Sequence, residues 1–113
     1  MKKHTLKFRA SDKAEYQTIV DGRKSVETRA ATPKYRKVEV GDTLVISCGG
    51  EQIEKTVRHV SIYDSIDSLL ANEKLSDVMP LVADEAEARK AWHSYPGYDE
   101  KIAKYGLVAW TIA

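Results

Sequence analysis

Apolar and polar residues alternate along "HTLKFRA" near the start of the chain, which predicts a first strand. The period then changes. Ser11 is suited to cap a helix whose Tyr16, Ile19 and Val20 share one face, and Gly22 is a natural stop for it. Alternation returns from Lys24 to Arg29, predicting a short strand with Val26 and Thr28 on one side and Glu27 and Arg29 on the other. Lys24 has the opposite parity but sits at the helix-to-strand turn, where parity does not bind it. Residues 30 to 37, including Pro33, read as a loop. "VEVGDTLVIS" reads as a turn and a strand, with Leu44 and Ile46 on one side and Val45 on the other. Gly49-Gly50 then turns the chain into its neighbour.

That neighbour, Gln52 to Ile62, breaks phase: Ile53 and Val57 have odd parity, Val60 and Ile62 even. A flat strand cannot send both pairs to one face. Either the strand is regular and buried on both faces there, or, as expected here, a β-bulge near Arg58-His59 resets the alternation, bends the strand and re-aims one of those two side chains. The next segments read as helices. Asp64 or Ser65 caps one carrying Ile66, Leu69 and Leu70; Leu75, Val78 and Met79 form another turn closed by Pro80. Asp84 opens a longer helix, with Glu87 as its capping-box partner and Ala88, Ala91, Trp92 and Tyr95 as its core stripe; "YPG" ends it. The final "YGLVAWTIA" is almost continuously apolar, as a strand covered on both faces should be. The expected fold is α+β, a small barrel of about five or six strands with two to four helices.

Composition narrows the class. A chain of 113 residues, 42% hydrophobic and 31% charged, suits one globular domain, 1–113. No apolar run is long enough for a membrane span, so no membrane association is expected. The first residues are basic but are not followed by an apolar leader core. Cys48 is the only cysteine, which excludes an internal disulfide; it is expected to be buried and inert. A cytoplasmic location fits these features. The net charge of +1 is uninformative, but its distribution is not. Residues 23 to 37 hold six cations against Glu27 alone, leaving twelve basic and sixteen acidic residues elsewhere. A basic segment on an otherwise acidic chain can attract an anion locally, or can simply be a solvated loop.

Within that segment, Glu27 and Arg29 share a strand face beside Lys24. A carboxylate between two cations stays ionised and oriented, and the cations can face a phosphate; equally, the three form a structural ion pair on a half-exposed strand. Tyr35 lies inside the basic segment and is placed to stack on a base; Tyr63, Tyr95 and Tyr98 are further candidates, while Trp92 belongs to the core stripe. Arg58 and His59, at the expected bulge, are candidates to face the same cleft. His59 is also a candidate proton-transfer group, as is His93 to a lesser degree. The three histidines have no metal-ligand spacing, and neither metal nor cofactor is expected. There is no Gly-rich phosphate loop, H-E-x-x-H or G-x-S-x-G motif.

Gly22, Lys24, Glu27 and Arg29 together resemble the G-x-K-x-x-E-x-R signature of the ASCH domain, a PUA-like small β-barrel. "VGDTLVI" is similar to that family's Gly-Asp strand, and "YPG" with "KYGLVAWTI" to its closing helix and strand, so the likeness spans nearly the whole chain. It implies a small single-domain protein of the bacterial and archaeal type. The implied function is binding of RNA or a nucleotide-like small molecule in a cleft lined by this motif, with Lys24, Glu27 and Arg29; the candidates read from the residues themselves, Tyr35, Arg58 and Tyr63, complete the expected binding set. A bacterial branch of the family hydrolyses the amide of N4-acetylcytidine with a lysine, a threonine and a glutamate. Lys24 matches the lysine, Glu27 stands at the threonine position, and Glu73, Asp84 and Glu85 lie near the glutamate's region. Other members cleave RNA. The resemblance therefore also implies a hydrolase, amidohydrolase or ribonuclease, with Lys24, Glu27 and His59 as candidate catalytic groups. A protein-interaction module is the remaining alternative.

Overall fold

The structure, a computed structural model, describes residues 1–113 and contains five strands, six α-helices and one 3-10 turn. The chain runs β1 (Lys3–Phe8), the 3-10 turn (Ala10–Asp12), α1 (Lys13–Val20), β2 (Val26–Ala30), α2 (Pro33–Arg36), β3 (Thr43–Cys48) and β4 (Glu51–Tyr63). It continues through α3 (Ile66–Asn72), α4 (Leu75–Val78), α5 (Glu85–Ser94) and α6 (Tyr98–Tyr105) to β5 (Leu107–Ile112). The class is the expected α+β PUA-like barrel, but the helices outnumber the two to four expected. Helix α4 is the turn expected at Leu75 to Met79; the two extra ones are α2, a four-residue turn in the segment expected as a loop, and α6. Helix α6 begins at Gly97 with no side-chain cap, so the usual start signal is missing, and of its short Tyr98, Ile102 and Tyr105 stripe only Ile102 is buried. Ser11 does not cap α1 either. The chain enters α1 through the 3-10 turn, and Asp12 occupies the cap position without a side-chain bond.

Other local signals act as expected. Ser65 accepts from Ser68 N–H at the start of α3, and Asp84 accepts from Glu87 N–H at the start of α5. Gly22, at φ +82°, sits just past the end of α1. Gly106 follows α6 at φ +77°, where an added Cβ would lie 2.3 Å from the Tyr63 carbonyl oxygen, so only glycine fits.

The sheet order is β1-β3-β4-β5-β2, with β1 and β3 parallel and the other pairs antiparallel. It curls into a half-barrel, and the ladder between β4 and β5 shifts register between Val57 and His59, skipping Arg58. This is the predicted bulge. It buries Val57 completely and packs Val60 against the same core. A misplaced valine would cost roughly 1.5–3 kcal/mol in transfer terms.

Two apolar clusters lie on opposite sides of β5. Val108, Trp110 and Ile112 face the one that also holds Leu6, Leu44, Ile46 and Ile19. Leu107 and Ala109 face the other, built with Val26, Leu69, Val78 and Trp92 from the helical side. That is why β5 reads as continuously apolar. At the other end of the sheet, Asp42 accepts from the backbone N–H groups of Lys2 and Glu39 and pairs with His4 Nε2 at 2.8 Å. These bonds, the Glu39 N–H foremost, hold its carboxyl down at about 2 and fix the start of β1 beside β3. The sheet does not close: β1 and β2 are its two ends, and a gap lies between them.

Candidate ligand-binding cleft

A cavity of about 300 Å³ opens between the two end strands, bordered by Lys7 and Phe8 of β1 and by Glu27, Thr28 and Arg29 of β2. Its floor is set by the turn from α1 into β2. Gly22 releases the chain from the helix, and Lys24 N–H donates back to Thr18 O at 2.9 Å, so the lysine is anchored on the helix it has just left. Ser25 N–H donates to Asp77 O at 3.1 Å and ties the start of β2 to α4. Thr28 N–H then donates to Glu27 Oε1 at 2.8 Å.

Lys24 Nζ lies 3.3 Å from Glu27 Oε1, and an Arg29 terminal nitrogen lies 3.5 Å from Oε2. Lys24 and Glu27 are only 6% and 3% exposed, so this is a desolvated trio and not a surface salt bridge. Burial alone would push the Glu27 carboxyl up. Lys24, Arg29 and the Thr28 N–H outweigh it and hold the group below its ordinary value. Burial likewise opposes the charge on Arg29, yet Glu27 keeps its affinity for the proton above normal. The guanidinium also lies over the Phe8 ring, 5.2 Å from its centre.

The walls come from the helical side. Tyr95 follows α5 and Tyr98 opens α6; their rings meet edge to face at 5.1 Å, and both border the cavity with Met79. Burial, with Glu15 and Glu27 nearby, pushes the Tyr95 phenol up to about 12. Burial raises Tyr98 as well. Both remain neutral hydroxyls at physiological pH. The rim carries Lys7, Arg9, Asp12 and Glu15. Arg9 Nε donates to Asp12 at 2.9 Å. Glu15 is half-buried, and that burial pushes its carboxyl up, opposed by the charge on Lys24.

Of the residues expected in the cleft, Lys24, Glu27 and Arg29 come together there. Tyr35, Arg58, His59 and Tyr63 do not border the cavity. Tyr35 packs edge to face on Trp110 at 5.7 Å, as part of the core under the sheet. Arg58 and His59 are exposed on β4, the middle strand of five and so remote from a gap between the end strands. The bulge exists but does not aim either side chain into the cleft. Tyr63 closes β4 and donates its hydroxyl to Glu73, beside a separate shallow groove. Asp84 is occupied as a helix cap, and neither it, Glu73 nor Glu85 borders the cavity. His93 pairs with Asp99 at 2.6 Å on the surface. Cys48 is buried, its thiol directed at Arg9 O at 3.5 Å.

Glu15, Lys7, Phe8 and Arg9 border the cleft without having been expected there. In sequence Glu15 is an ordinary acid in the first turn of a helix, and Lys7 and Phe8 are steps in an alternating strand. No local signal marks them. No group of three His, Cys, Asp or Glu side chains gathers to hold a metal ion, and no helix is long and apolar enough to cross a membrane.

Fold and cleft together define a small PUA-like half-barrel with a polar, aromatic-walled cavity where its sheet fails to close. The chain belongs to the ASCH domain family, whose model matches residues 13–113. The crystal structure of hypothetical protein PH0355 is similar over 99% of this chain and 97% of that one, at 26% identity and a TM-score of 0.85. The solution NMR structure of protein PF0455 from Pyrococcus furiosus is similar over 97% of this chain and 94% of that one, at 28% identity and a TM-score of 0.74. A comparison with curated proteins gives no match.

Proposed function

We propose that the cleft binds one unstacked nucleotide of single-stranded RNA, or an equivalent free nucleotide-like molecule. The observation that carries this reading is the Lys24–Glu27–Arg29 trio on the floor of a cavity walled by Tyr95 and Tyr98. A volume of about 300 Å³ is at the lower end of small-ligand sites. The floor offers donors and an acceptor to a base edge, and aromatic side chains offer faces to stack on. Much of the basic segment is engaged otherwise: Arg36 donates to the Ala31 and Tyr105 carbonyls, and Lys34 lies over Tyr35. Electrostatic attraction is therefore weaker than its cation count suggests.

The test is a titration of a short single-stranded RNA at low salt against wild type, Arg29→Lys and Tyr98→Ala. Loss of a stacking ring removes about 1–3 kcal/mol per base, so Tyr98→Ala should weaken binding at least fivefold with far-UV circular dichroism unchanged. If both variants are folded and bind like wild type, the cleft is not the site.

Hydrolysis is the second reading, favoured by the opposed carboxyl groups at the cavity. Glu15 is pushed up by burial, while Glu27 is held down, against its own burial, chiefly by Lys24. Such separation supplies an acid and a base in one site. The threonine of the N4-acetylcytidine-hydrolysing branch is replaced by Glu27, so that substrate should turn over slowly or not at all. Turnover by wild type that disappears in Glu15→Gln would make hydrolysis the leading reading.

A further inference from the structure

Four cations border the cavity, and three of them have acidic partners. Lys24 and Arg29 share Glu27, at 3.3 and 3.5 Å, and Arg9 is paired with Asp12 at 2.9 Å. Lys7 has neither an ion-pair nor a hydrogen-bond partner; it stands exposed on β1, next to the Phe8 ring that carries Arg29. The floor's remaining capacity is of another kind. Arg29 has five N–H donors, of which the guanidinium gives one to Glu27, and the Tyr95 and Tyr98 hydroxyls keep their protons to donate, although the Tyr98 oxygen already accepts from the Ala30 backbone N–H. These groups are directional and suit the edge of a neutral heterocycle. A phosphate on the floor would instead lie beside the buried carboxylate of Glu27, with Glu15 close by, in a medium where like charges repel strongly.

We infer that the cleft takes its nucleotide base first, with the base on the Glu27–Arg29 floor and the phosphate outside at Lys7. The inference rests on the nucleotide-binding reading and adds the ligand's orientation and the residue that senses its charge. Lys7 then governs the salt dependence, while Arg29, Tyr95 and Tyr98 govern which base is held.

Calorimetric titrations at low salt with the four ribonucleosides, their 5′-monophosphates and inorganic phosphate test this on wild type and Lys7→Ala. Lys7 is exposed on an end strand, so its substitution leaves the fold intact. The expected result is that at least one nucleoside binds and that its monophosphate binds up to about fivefold tighter, as one exposed ion pair allows. Lys7→Ala should erase that advantage, so that nucleoside and monophosphate bind alike, and inorganic phosphate should not displace the nucleoside. With single-stranded RNA, the slope of log K against log salt should shrink by about 0.7 in the variant. If the monophosphate keeps its advantage in Lys7→Ala, or phosphate displaces the nucleoside, or only phosphorylated ligands bind, the orientation is wrong while nucleotide binding stands. If no nucleoside, nucleotide or RNA binds, both readings fall.

Discussion

Glu27 is a fully buried carboxylate kept ionised by two neighbours and one backbone N–H. Removing a single member of such a group leaves the others desolvated and unpaired. Lys24→Ala should therefore destabilise the fold by about 3–5 kcal/mol in urea denaturation, and loss of ligand binding in that variant would say little about contact. The triple variant Lys24→Met/Glu27→Gln/Arg29→Met should recover most of the loss, because it removes all three charges together. The acid limb follows from the same shift. The folded carboxyl sits below its unfolded value of about 4.3, so its contribution is complete above that pH and fades as pH falls through the folded value. Glu15 has the opposite sign. Its folded value is raised, so the stability it favours is present below about pH 4.3 and is lost as pH rises through the folded value. Glu15→Gln should accordingly raise the unfolding midpoint at pH 7 and change little near pH 4. Equal midpoints at pH 7 would show that Glu15 is as well solvated folded as unfolded. The sequence displays the motif residues because their spacing along one strand is local. It does not display Glu15, which reaches the cavity only because Gly22 folds the chain back and Lys24 bonds to Thr18.

Among the elements, the legible ones carry their cause within a few residues. The phase break in β4 is visible because parity is counted along one strand, and the register shift falls where the alternation fails. Where a re-aimed side chain points depends instead on strand order. The middle position of β4 is set by its pairing with β3 and β5, information that no window around Arg58 contains. Helix α6 is the element whose start no capping signal marks, and it carries Tyr98 to the cleft. Its end is held by Gly106, whose N–H donates to Ile102 O at 2.8 Å and whose carbonyl accepts from Ala31 N–H at 2.9 Å, just past β2. At φ +77° and ψ −161°, Gly106 occupies a region open essentially to glycine alone, with the Tyr63 backbone in the way of any side chain. Gly106→Ala should cost at least about 3 kcal/mol, combining backbone strain with a displaced strand, and should weaken ligand binding through Tyr98. A loss under about 1 kcal/mol, below the usual cost of a strained backbone position, would mean that the turn relaxes without moving β4.

At the scale of the molecule, each apolar cluster holds one of the two tryptophans, and β5 is the wall between them. Trp110 projects from β5 into the cluster enclosed by the curled sheet, while Trp92 on α5 anchors the helical side. The cleft draws on both layers: Phe8 packs against the first cluster, and Met79, Tyr95 and Tyr98 against the second. A site assembled this way is complete only when both layers are folded. Because Leu107 and Ala109 serve one cluster and Val108, Trp110 and Ile112 the other, neither layer can lose β5 without exposing its own apolar face. The two layers should therefore unfold together. Each tryptophan reports on its own layer once the other is replaced, so Trp92→Phe and Trp110→Phe give two single-tryptophan proteins. In urea, the fluorescence transition of each should coincide with its own far-UV circular dichroism transition, and the two variants should show equal m-values, about 1–3 kcal/mol/M for a protein of this size. If the Trp92 signal in Trp110→Phe is lost at lower urea than the sheet's dichroism, the helical layer opens on its own. Binding would then require its closure, and the cleft would be a site formed by folding one layer onto the other.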